Sequence, residues 1–116
     1  MVSIQPTPTA DIHPINRQLD ELVRQIVLAV HPLKIVLFGS AARDQFGPHS
    51  DLDLLVVMPD GTHRRKTAQQ LYRTITAVSV PFDLVVVTSG DLALHGDNPG
   101  LIYRAALAEG RTLYAV

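Results

Sequence analysis

Two neighbouring stretches limit what this chain can fold into: Phe38-Gly39-Ser40-Ala41-Ala42-Arg43 and, after a short polar loop, Ser50-Asp51-Leu52-Asp53-Leu54-Leu55-Val56-Val57. The first reads as a strand end running into a turn, the second as a strand with two carboxylates at its start. Alternation puts residues i and i+2 of a strand on one face, so Asp51 and Asp53 point the same way, about 7 Å apart at Cα. Carboxylates held like that repel unless water, arginine or a divalent cation lies between them, and hard oxygen ligands favour Mg²⁺ or Mn²⁺ over a softer metal. Gly39 lets backbone approach closely, and Ser40 with the amides after it can open a short helix whose N-terminus favours phosphate. Either feature alone is common in ordinary turns and strand ends; together they suit phosphoryl or nucleotidyl transfer.

The rest of the chain is read around this pair. Residues 1–10 are polar and proline-punctuated and are expected to form a mobile tail, with one domain over 11–116. From Pro14, apolar residues at Ile15, Leu19, Leu22, Val23, Ile26 and Val30 keep helical spacing until His31-Pro32 ends the run. Leu33 to Phe38 predicts the first strand and Leu52 to Met58 the second, with about one helical turn over Ser40 to Asp44 between them. So short a link makes the two strands antiparallel neighbours and brings the glycine turn to the aspartates. After a Pro59-Asp60-Gly61 turn, Thr62 is a candidate N-cap for a helical stripe of Ala68, Leu71, Tyr72, Ile75 and Val78. Phe82 to Val87 predicts a third strand. Strand, helix, strand is a crossover, so the second and third strands are parallel and start at the same sheet edge, which carries Asp83 toward Asp51 and Asp53. A short helix to Leu94, a helix from Leu101 to Glu109 ended by Gly110, and a closing strand from Thr112 complete the expectation.

Bulk properties exclude several classes. At 116 residues the chain suits one core and leaves no room for a second, substrate-holding domain. Ten basic against 11 acidic side chains give a net charge of −1, which disfavours direct nucleic-acid binding. Without cysteine there are no disulfides, thiolate zinc sites or cysteine nucleophiles. The five histidines lack paired ligand spacing. No leader and no apolar run of membrane length is evident, so a soluble, cytoplasmic protein is expected, with no membrane contact. His63-Arg64-Arg65-Lys66 reads as a solvated basic face or as a patch for an acidic partner or RNA.

Gly39, Ser40, Ala42, Arg43, Ser50, Asp51 and Asp53, in this order and spacing, resemble the minimal nucleotidyltransferases of the DNA polymerase β-like superfamily, whose signature is Gly-Ser-x-Ala-Arg-Gly, a spacer, then Ser-Asp-hydrophobic-Asp. The closing Gly110-Arg111-Thr112-Leu113-Tyr114 is similar to the family as well, so the resemblance spans roughly residues 33–114. It implies an α/β fold with a mixed sheet and transfer of a nucleoside monophosphate, AMP foremost, from ATP or another NTP to a hydroxyl. It also implies Asp51, Asp53 and Asp83 as catalytic ligands of Mg²⁺ or Mn²⁺; Gly39, Ser40 and Arg43 as phosphate-orienting residues; and Ser50 among the nucleotide-binding positions. The resemblance further implies a helical HEPN-type toxin as partner, which the nucleotidyltransferase would neutralise as antitoxin by adenylylating it, in a homo- or hetero-oligomer. The alternatives are a weakly active or inactive module that neutralises a HEPN partner stoichiometrically, and nucleotidylation of a small molecule. Two positions depart from the pattern: Ala41 stands where relatives often have arginine, and Asp44 where glycine is common. Both lower the positive potential along the triphosphate path and leave the aspartates untouched.

Overall fold

A computed structural model describes residues 14–39, 51–95 and 110–116. The expected N-terminal tail, the turn over 40–44 and the helix over 101–109 lie outside these residues. Helix α1 spans Pro14–Val30, as its spacing predicts. It stops where His31 turns to φ +50 with its N–H still bonded to the Val27 carbonyl, a left-handed cap that the following buried Pro32 prevents from continuing. Strand β1 follows as Lys34–Phe38, β2 as Leu52–Met58, helix α2 as Arg64–Thr74, β3 as Phe82–Thr88, α3 as Ser89–His95 and β4 as Arg111–Ala115.

The four strands form one sheet in the order β3-β2-β1-β4. β2 lies antiparallel to β1 and parallel to β3, while β4 pairs antiparallel with β1 across an irregularity at Ile35 and Val36. Period-two alternation divides the strands' apolar residues between two cores. Ile35, Leu37, Leu52, Leu54, Val56 and Val86 face α1 and α2 and pack with Leu22, Ile26 and Leu71. On the other face Val36, Phe38, Leu55, Val57 and Val87 form a second cluster joined by Leu92 of α3.

Helix α2 departs from the sequence reading at both ends. Its N-cap is His63, whose Nδ1 accepts from the Lys66 N–H at 3.2 Å; the Thr62 hydroxyl donates instead to the Pro59 carbonyl at 2.7 Å and closes the preceding turn. The helix ends at Thr74, and Ile75 and Val78 enter the core from the linker that follows, which bends at Ala77 with φ +61. That linker is tied to α1. The Gln25 side chain donates to the Thr76 carbonyl (2.6 Å) and accepts from the Thr76 N–H (2.9 Å), and Gln18 accepts from the Ser79 N–H at 3.0 Å. Leu52 N–H then donates to the Pro81 carbonyl at 2.9 Å, which fixes where β3 begins against β2.

In a parallel ladder the N–H and C=O of one residue face the same neighbour, so Phe82, Leu84, Val86 and Thr88 look outward from β3. The Leu84 N–H donates to the Tyr72 hydroxyl at 2.8 Å, and the Tyr72 ring stacks on Phe82 with centroids 5.7 Å apart. The Thr88 N–H donates to the Asp91 carboxylate (3.0 Å) while the Asp91 N–H donates to the Thr88 hydroxyl (3.1 Å), a reciprocal cap that starts α3 at Ser89.

Candidate active site

The register of the sheet gathers the sequence-singled aspartates at one edge. Asp53 stands opposite Asp83 in the parallel β2–β3 ladder and opposite Phe38 in the antiparallel β1–β2 ladder. Cα atoms of such neighbours lie about 5 Å apart, and their side chains share a face. Asp51 immediately precedes β2, two residues from Asp53. The crossover through α2 thus carries Asp83 to the acid pair, and the short link from β1 to β2 carries Gly39 there. All three aspartates belong to the face of Val36, Phe38 and Leu55, away from α1 and α2.

Asp51 and Asp83 are exposed and Asp53 is half-buried. Burial pushes the Asp53 carboxyl above its ordinary value, and the negative charges of Asp83 and then Asp51 push it further the same way. Among the described residues no side chain or backbone N–H donates to Asp53, and none of the three carboxylates has an ion-pair partner. The three do not draw together into a metal-sized cluster; no group of three His, Asp or Glu side chains among the described residues does. Gly39 adopts φ +77, and a Cβ built on it would lie 2.5 Å from Asp53 Oδ2. Ser40, Arg43 and Ser50 lie outside the described residues.

The opposite ends of the strands look different. Asp60, after β2, accepts from the Gly90 N–H at 2.7 Å and the Ser89 hydroxyl at 3.3 Å, and Arg64 bonds Asp91 at 3.2 Å. A cavity of about 460 Å³ there is lined by Thr62, His63, Arg64, Arg65 and Val86. Its strand residue, Val86, faces α1 and α2, on the side of the sheet away from the aspartates, so the cavity is no part of their site. Sequence reasoning missed the capping role of His63 because threonine is the stronger N-cap by propensity. It also missed the Gly39–Asp53 contact, which depends on the cross-strand register.

Residues 16–104 match the family model of the nucleotidyltransferase domain. A solved structure from Sulfolobus solfataricus, of a protein inferred to be a nucleotidyltransferase, is similar over 99% of this chain and 93% of that one, with 16% identity and a TM-score of 0.62. A toxin-antitoxin structure with AMP-PNP matches 86% of this chain and 73% of that chain at 23% identity and a TM-score of 0.52. The toxin-antitoxin MntA-HpeT, in a variant with two aspartates spaced two residues apart changed to glutamate, matches the same shares at 21% identity and a TM-score of 0.53. At these identities the likeness is one of fold. No curated protein matches the sequence.

Proposed function

Because the chain belongs to the nucleotidyltransferase domain family, we propose that it moves a nucleoside monophosphate, AMP foremost, from an NTP to a hydroxyl on a HEPN-type toxin and acts as the antitoxin. The observation that carries this reading is the register that sets Asp83 beside Asp53, with Asp51 two residues away and no counter-charge among the described residues. By its chemistry the donor set suits a hard divalent cation: three carboxylates at one edge, which the ion would have to draw closer together. Asp51 and Asp53 would hold Mg²⁺ or Mn²⁺ jointly, and Asp83 would complete the ligand set on the acceptor side. Bound there, the cation supplies Lewis-acid polarisation of the α-phosphate and neutralises charge on the leaving pyrophosphate.

The chain's own residues do the rest. Gly39, with Ser40 and Arg43 after it, orients the β- and γ-phosphates so that the acceptor oxygen lies in line with the α-phosphorus. The acceptor O–P bond forms, the bond to pyrophosphate breaks, and the hydroxyl proton passes to solvent at the exposed rim that Asp83 occupies. The toxin-antitoxin relatives support the choice of partner, and the AMP-PNP in one of them supports the choice of nucleotide.

The test is transfer of label from ATP carrying a radioactive α-phosphate to the HEPN partner, for the wild type and for Asp51→Asn with Asp53→Asn. Expected is loss of at least about a thousandfold in labelling, in line with removing ligands that organise the transition-state charge, while the complex still forms. A double variant that neutralises the toxin as well as the wild type does would establish stoichiometric binding in place of catalysis.

A further inference from the structure

We propose that Gly39 is a positioning residue for Asp53: the room left by its missing side chain is the seat of the carboxylate. The inference rests on the reading of Asp51 and Asp53 as cation ligands and gives Gly39 a role that precedes any contact with phosphate.

The geometry is specific. Phe38 pairs with Asp53 across the β1–β2 ladder, so the next residue, Gly39, leaves the strand beside that carboxylate. An added methyl would stand 2.5 Å from Oδ2, 3.4 Å from the carboxyl carbon and 3.6 Å from Cβ of Asp53. A real side chain does not tolerate the first distance; one of the two groups has to move, and since the nearest atom is the end of the Asp53 side chain, that carboxylate is the group turned out of its present seat.

Two other glycines show what is particular about this one. At Gly90 the added methyl would also meet a carboxylate, Asp60 Oδ1 at 2.8 Å, but that oxygen is held by the Gly90 N–H at 2.7 Å, so the contact locks a turn. Asp53 Oδ2 receives no hydrogen bond from any described residue, and its lone pairs are left for something else. Gly61 has φ +91, more positive than the +77 of Gly39, yet an added methyl there meets nothing within 4 Å. Gly61→Ala therefore imposes the backbone strain of a positive φ alone, and Gly39→Ala imposes that strain plus the collision.

A phosphate-cradle role by itself predicts that Gly39→Ala weakens nucleotide binding and leaves the cation alone. A seat for Asp53 predicts that the cation is lost first, with no nucleotide present. Full-length protein is titrated with Mn²⁺ in the absence of nucleotide, followed by water-proton relaxation, for the wild type, Gly39→Ala and Gly61→Ala. Gly39→Ala is expected to weaken Mn²⁺ binding by about 10- to 100-fold, the usual effect of disturbing the support of a metal ligand, and Gly61→Ala to leave it within about twofold. Melting temperatures of Gly39→Ala, Asp53→Ala and the double variant form a thermodynamic cycle for the contact. Removing the carboxylate is expected to recover about half or more of the melting-temperature loss caused by Gly39→Ala. The same background should recover nothing for Gly61→Ala. If Gly39→Ala does not fold, the double variant should fold, and its failure to do so overturns the proposal. Wild-type Mn²⁺ affinity in a folded Gly39→Ala overturns the positioning role while leaving the proposed chemistry intact. A wild type that binds no Mn²⁺ overturns the cation reading itself, and with it the positioning role.

Discussion

Asp53 titrates in two different settings: at the ordinary carboxyl value in the unfolded chain, and higher in the folded one, where burial, Asp83 and Asp51 all oppose its charge. A raised folded value means that the stabilising contribution is fully present below the unfolded pKa and is lost as pH rises through the folded one. Without a cation, ionisation of this carboxylate therefore weakens the fold. Asp53→Asn should raise the melting temperature in EDTA by a few degrees at neutral pH, and the gain should vanish as pH falls below the unfolded value. Thermal scans across pH check this; a variant that melts lower than wild type at neutral pH would mean that the carboxylate is stabilised, and the repulsive picture would fail. Three carboxylates at one edge were legible from alternation and from the parallel crossover, because both rules act on sequence spacing. The seat at Gly39 was not, since it depends on Phe38 meeting Asp53, which no spacing rule specifies.

Among the elements, α1 and β2 coincide with their apolar patterns, and the antiparallel and parallel pairings follow from the lengths of the links. Helix α2 was less legible. Ile75 and Val78 continue its stripe in sequence but enter the core from the linker, where non-helical backbone held by Gln18 and Gln25 presents apolar side chains at a spacing that mimics a helix. At its other end, Thr62 is already committed to the Pro59 carbonyl, so the cap falls to His63, a poor capping residue, with Arg64, Arg65 and Lys66 set against the helix dipole and no acid in the first turn. His63→Asp should supply a better acceptor for the Lys66 N–H and a favourable charge, stabilising the protein by about 0.5–1 kcal/mol. Urea midpoints measure it. An unchanged or lowered midpoint would show that the imidazole contributes packing which the cap geometry does not reveal.

For the whole molecule, a cation bound only by the folded state adds stability by mass action, about 2.7 kcal/mol at a hundred times its dissociation constant. Mg²⁺ or Mn²⁺ at millimolar concentration should therefore raise the melting temperature of the wild type and not that of Asp51→Asn with Asp53→Asn. An equal rise in both would place the cation elsewhere. The outer margin of β3 has a different consequence. With the Leu84 N–H on the Tyr72 hydroxyl and the Thr88 N–H on Asp91, two of the four outward amides of this strand are closed to a second strand seeking to line up beside it. Tyr72 thus closes one outward amide of that margin as well as stacking on Phe82. Tyr72→Phe keeps the stack on Phe82 and uncovers one amide, so light scattering of concentrated protein should rise more steeply than a stability loss of about 1 kcal/mol would explain.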